Sequence, residues 1–134
     1  MKIDQAYLKQ LLNGFLVSER SFVWPGDLLH DGVELDDKFL FHMQILEDQR
    51  FVECLDRRLD LGYEITLGGE FTWHSRPLRL TAAGHEFVDA LNRSEIWEVI
   101  KAEFQDASVA TLTTAAKGLL EAFARKQIQK YLDV

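Results

Sequence analysis

Every second residue from Leu59 to Leu67 is apolar: Leu59, Leu61, Tyr63, Ile65 and Leu67 alternate with Asp60, Gly62, Glu64 and Thr66. A period of two marks an extended strand with one face against a core. Gly68-Gly69 follows, two residues tolerant of positive φ, so the chain is expected to turn there and return as a second strand to Leu80. A two-residue loop pairs Leu59 with Leu78 and Leu67 with Glu70. That register leaves Phe71 and Trp73 on the face opposite Ile65 and Leu67. A bulge near Ser75-Arg76-Pro77, or a longer loop, would reconcile the two ends.

Helical periods flank this hairpin. Asp4 is placed to cap a first helix whose Leu8, Leu11, Leu12 and Phe15 form an apolar stripe, with Asn13-Gly14 as the stop signal. Residues 18–36 read as irregular, punctuated by Trp24-Pro25-Gly26-Asp27 and Asp31-Gly32, with a short helical turn around Leu28 and Leu29. A second helix is expected from Asp36 or Asp37 to Gln49-Arg50, carrying Phe39, Leu40, Met43 and Leu46 on one face. Beyond the hairpin, Thr81 caps a third helix and Ser94 a fourth, which turns Ile96, Trp97, Ile100 and Phe104 inward. A last helix of roughly 24 residues carries the stripe Val109, Leu112, Ala116, Leu119, Leu120, Phe123 and Ile128.

The order is thus helix, short turn, helix, long hairpin and three more helices. It predicts an α+β, mainly α fold: a winged helix-turn-helix over residues 1–93, with the hairpin as wing, and a helical extension over residues 94–134. Local wording agrees. His42-Met43-Gln44-Ile45-Leu46, then Phe51-Val52 after four residues, resembles the end of the recognition helix in many bacterial winged-helix regulators. Leu80-Thr81-x-x-Gly84 resembles the phrase with which they leave the wing, where Thr81 caps and Gly84 permits close backbone packing. Leu80-Thr81-Ala82-Ala83-Gly84-His85-Glu86-Phe87-Val88-Asp89-Ala90, followed by Ile96-Trp97, is similar to an uncharacterised bacterial and phage family, a domain of unknown function. The opening Met1-Lys2-x-Asp4 matches it as well. This resemblance supports the fold and implies no catalytic residues.

The 134 residues suit a single core, and the lone Cys54 excludes an internal disulfide, so it reads as a small apolar residue. The start Met1-Lys2-Ile3-Asp4 is unlike a signal peptide, and no apolar run approaches a membrane span; a cytoplasmic location is expected. Catalysis and cofactors are not expected. His85 with Glu86 and Asp89 lacks the second histidine of a zinc protease motif and reads instead as a tie holding its helix against the wing. His30 and His74 have no spaced companions, no Gly-x-Ser-x-Gly elbow is present, and Gly68-Gly69 is too short to cradle a phosphate. No metal site is expected.

Charge separates the two remaining function classes. The net charge is −7, and residues 27–56 hold nine acids against Lys38 and Arg50, so that stretch alone carries −7. The fold analogy points to a DNA-binding regulator, with contacts from Lys38, His42, Gln44 and Gln49 on the second helix and from Arg57, Arg58, Arg76 and Arg79 on the wing. The acids oppose it, because phosphate contacts supply much of protein–DNA affinity; the arginines would then pair with Asp56, Asp60 or Glu64. The alternative is a protein-interaction module anchored by Tyr63, Phe71, Trp73 and His74. Their own alternative is to pack beneath residues 18–36. The last helix, through Leu112, Leu119 and Phe123, offers a surface for a homodimer.

Overall fold

A computed structural model of the protein describes residues 1–132. The fold is α+β and mainly helical. The chain divides into two compact units, Met1–Gly84 and His85–Val134.

In the first unit, α1 (Gln5–Leu16) begins where expected. The Asp4 carboxylate accepts the Tyr7 N–H at 3.0 Å, satisfying one of the free amides that any helix start exposes. The helix runs past Asn13-Gly14 to Leu16. Gly14 serves close approach instead of termination: a Cβ there would lie 2.6 Å from Leu28 Cδ2. Leu28 belongs to a 3-10 turn, Pro25–Leu28, pinned by the Trp24 N–H on Asp27 Oδ2 at 2.9 Å. Just before it, Val23 exchanges two 2.8 Å backbone hydrogen bonds with Leu78. The irregular segment therefore adds a one-residue strand to the sheet.

Helix α2 (Asp37–Asp48) is capped by Asp36, which accepts from Phe39 N at 3.0 Å. It stops at Gln49-Arg50 through a left-handed Arg50 (φ 57). The Phe51 N–H reaches Leu46 O and the Arg50 N–H reaches Glu47 O, the paired closure typical of a helix ended by a left-handed residue. Strand β1 (Val52–Cys54) follows at once. It pairs antiparallel with β4 (Leu78–Leu80), Val52 opposite Leu80, so the order across this sheet is Val23, β4, β1.

The hairpin is shorter and more broken than the alternation suggests. Only β2 (Tyr63–Ile65) and β3 (Phe71–Trp73) form its outer ladder, with Tyr63 opposite Trp73 and Ile65 opposite Phe71. The Thr66 N–H bonds to Glu70 O at 2.7 Å, so three residues make the turn, with Gly69 at φ 86. The third loop residue shifts the register by one. Phe71 and Trp73 consequently share a face with Tyr63 and Ile65, which corrects the two-residue pairing. Leu55 N to Pro77 O (2.8 Å) ends the inner ladder and His74 N to Gly62 O (2.7 Å) begins the outer one. Residues 56–61 therefore face residues 75 and 76 alone. The irregularity lies on the outgoing arm, not at Ser75-Arg76-Pro77.

The core of this unit includes Leu8, Leu11 and Leu12 from α1, Phe39, Met43 and Leu46 from α2, and Leu78 from β4, all buried. Thr81 closes it as expected: Oγ1 accepts from Gly84 N at 3.1 Å and donates to Arg50 O at 2.6 Å. A Cβ on Gly84 would lie 2.3 Å from Phe51 O, so only glycine fits.

The second unit holds most of α3 (Ala82–Leu91), then α4 (Ser94–Glu103) and α5 (Val109–Leu132). Ser94 is the first helical residue and not the cap. Arg93 stands at the cap position without a side-chain bond. Ser108 caps α5 by accepting from Thr111 N at 3.2 Å. Helix α4 packs on α5, and Ile96, Ile100, Val109, Leu112 and Ala116 are buried. No helix among the described residues is long and apolar enough to cross a membrane.

Candidate functional site

The residues expected to meet DNA are mostly occupied. His42, expected to face outward, is wholly buried. Its Nδ1 donates to Lys38 O at 2.7 Å and its Nε2 accepts the Asp4 N–H at 2.9 Å, while the Tyr7 ring lies 4.7 Å away. Burial holds its pKa below the usual histidine value. Because its ring spans from α2 to the cap of α1, it is a structural tie. The same role was expected of His85, which instead stands exposed on α3.

Lys38 is half-buried, its Nζ 2.9 Å from Asp4 Oδ2 and 4.6 Å from the Tyr7 ring centre. The Tyr7 N–H and the Lys38 ammonium keep the Asp4 carboxyl below its ordinary range. Gln44 and Gln49 are partly covered along α2. The start of α2, where a phosphate would approach a recognition helix, already carries Asp36 in the cap and Asp37 in the first turn, both exposed.

The hairpin arginines pair with acids. Arg58 Nε lies 3.2 Å from Asp56 Oδ2, Arg76 Nη1 2.7 Å from Asp60 Oδ1, and Arg79 bonds Glu53 across the β1–β4 ladder. Arg57 remains exposed, held at φ 66. Glu53 is the one partner that the sequence reading did not single out. The β1–β4 register places it directly opposite Arg79.

The aromatic residues do not form an outer patch. Tyr63 and Trp73 are half-buried and turn toward α2. The Tyr63 hydroxyl donates to Glu47 Oε1 at 2.7 Å, and burial together with that bond pushes its pKa up to about 12. Trp73 lies 5.2 Å from the Phe39 ring and 5.3 Å from the Tyr63 ring, and its Nε1 donates to Leu61 O at 2.9 Å. They pack on α2, and not beneath residues 18–36. Phe71 is half-buried, and His74, exposed, reaches Glu64 at 3.2 Å. What the hairpin does expose is aliphatic: Leu59 and Leu67 are fully exposed and Ile65 largely so. Period two misled here, because Leu59 lies in the bulge and Leu67 in the turn.

On α5, Leu112 is buried and therefore unavailable for a dimer contact. Leu119 and Phe123 are half-buried, the latter beneath the Arg93 guanidinium at 4.8 Å. Beyond them Ile128 and Tyr131 are exposed.

Cys54 is buried, its thiol donates to Asp60 O at 3.0 Å, and burial pushes its pKa up, away from the nucleophilic thiolate. Among the described residues no three His, Cys, Asp or Glu side chains gather as a metal site. No family model matches the chain, and no curated protein or solved structure does either.

Proposed function

We propose that this is a non-enzymatic protein-interaction module on a winged-helix scaffold, which grips a partner protein bearing a basic, apolar surface. The winged-helix reading is supported by the order of elements: α1, the Val23 strand residue, the 3-10 turn, α2, then β1 to β4, with Val23 and β1 flanking β4. The second helix of such a unit is here reduced to the 3-10 turn.

The observation that carries the choice of partner is the pairing of Arg58, Arg76 and Arg79 with Asp56, Asp60 and Glu53. Exposed ion pairs of this kind contribute little to stability. Their effect on the field is larger: a DNA phosphate meets arginines already neutralised, in a unit that also exposes the acids Asp31, Glu34, Asp36 and Asp37. The same acids favour a basic partner, and the exposed Leu59, Ile65 and Leu67 supply apolar area.

The test is fluorescence anisotropy of a labelled mixed-sequence duplex at low and moderate salt. The reading expects no binding at either. Binding that weakens steeply with salt overturns it in favour of a DNA-binding regulator. In parallel, a partner captured by the native chain should be lost with Leu59→Ser/Leu67→Ser, which leaves the fold intact. Retention by that variant removes the hairpin from the interface.

A further inference from the structure

A cavity of about 340 Å³ opens in the first unit between the end of α2, β1 and the bulge. Its apolar lining comes from Val52, Leu59 and Leu61, with Cys54 beside them, and Arg50 and Arg57 also line it. Glu47 and Glu53 line it too, but both are engaged. Glu47 accepts from the neutral Tyr63 hydroxyl and keeps its negative charge, whereas Glu53 is neutralised by Arg79. The remaining lining arginine, Arg58, is paired with Asp56. Arg50 and Arg57 have no ion-pair partner among the described residues, so with Glu47 counted against them the lining keeps a net positive charge in a chain of net charge −7.

The same two residues are held left-handed, Arg50 at φ 57 and Arg57 at φ 66. Glycine is the favoured residue in that region, and a side chain there costs about 1 kcal/mol or more. At the Arg50 position, after a helix, glycine is the common choice. At both positions the chain carries an arginine instead, and both residues line one cavity. A planar fork of N–H donors suits the oxygens of a phosphate, and the cavity is within the range of small-molecule sites.

We infer that this cavity binds a small organic phosphate, with the phosphoryl group on Arg50 and Arg57 and an apolar body against Val52, Leu59 and Leu61. The cavity shares Leu59 and the paired Arg58 and Glu53 with the surface of the proposed partner contact, but its phosphate site, Arg50 and Arg57, is not used there.

The test is titration of the ¹⁵N-labelled full chain, followed by NMR, with AMP, adenosine and inorganic phosphate as probes. AMP should give saturable shifts at Val52, Cys54, Arg57 and Leu59. Adenosine and inorganic phosphate should each bind about tenfold more weakly or worse, since each supplies one half of the contact. Arg50→Gly and Arg57→Gly relax the backbone while deleting the guanidinium, so both should fold, and each should weaken AMP by about tenfold or more. Absence of saturable shifts with millimolar AMP overturns the inference. So does adenosine binding as well as AMP, or full AMP affinity in the two glycine variants.

Discussion

Asp4 and His42, thirty-eight residues apart, are joined by one hydrogen bond: the Asp4 N–H donates to His42 Nε2 at 2.9 Å. Nδ1 of the same ring is committed as a donor to Lys38 O, so the folded chain requires the neutral imidazole with its proton on Nδ1. A second proton on the ring would set one N–H against another inside the core.

The folded-state pKa of His42 is depressed, first by burial, with the Lys38 carbonyl and the Asp4 carboxylate opposing the shift and Lys38 adding to it. As pH falls, the unfolded chain therefore takes up the proton first. Stability should hold above the ordinary histidine pKa of about 6.5, fall from there down to the lower folded pKa, and then level off. Asp4, whose carboxyl is also depressed, adds a second loss below the ordinary aspartate value of 3.8. Thermal melts between about pH 8 and about pH 5 should show the first loss, and His42→Gln should flatten it. A His42 ring that titrates at or above the usual histidine value by NMR would contradict this account.

Tyr7 has the opposite defect. Its hydroxyl is buried without a hydrogen-bond partner among the described residues, and burial, reinforced by Asp36 and Asp4, pushes its pKa up to about 12. Tyr7→Phe removes an unsatisfied polar atom and keeps the ring beneath Lys38. The midpoint of denaturant unfolding should stay or rise; a loss above about 1 kcal/mol would reveal a missed partner.

Two glycine-to-alanine changes should have opposite signs. At Gly84 the new methyl would sit 2.3 Å from Phe51 O, so backbone must move, and a cost of about 1–3 kcal/mol or more is expected. At Gly118, inside α5, nothing lies within 4 Å of an added Cβ, and alanine should stabilise by about 0.5–1 kcal/mol. Equal effects in urea unfolding would refute the reading of Gly84 as a contact glycine.

Asp36→Ala removes the cap of α2, whose carboxylate accepts from Phe39 N, and should cost about 1 kcal/mol. Asp36→Asn should recover most of it, since the amide oxygen can accept the same bond. A variant no better than alanine would show that charge at the helix end matters more than the bond.

Much of the helical frame was legible because its signals are local. Asp4, Asp36 and Thr81 cap where side-chain chemistry says they should, and the stripes Leu8-Leu11-Leu12 and Phe39-Met43-Leu46 are buried as their spacing requires. The hairpin was harder, because alternation carries no information on loop length. One extra turn residue moves Phe71 and Trp73 to the other face, and the six-residue bulge puts Leu59 in solvent without disturbing the pattern of letters. The choice between His42 and His85 also lay beyond local reading. Both follow helix caps, and only the packing of α1 on α2 reveals which ring finds two backbone partners. The arginine pairs were half legible. Arg76–Asp60 and Arg58–Asp56 link expected partners, whereas Arg79–Glu53 depends on a register that only the ladder defines.

The bulge opposite residues 75 and 76 decouples heredity from folding. Both flanking ladders close through their own backbone bonds, at Leu55–Pro77 and Gly62–His74, so residues gained or lost between them need not shift either register. The stretch around Arg57, Arg58 and Leu59 can therefore change in length and chemistry while both ladders keep their register.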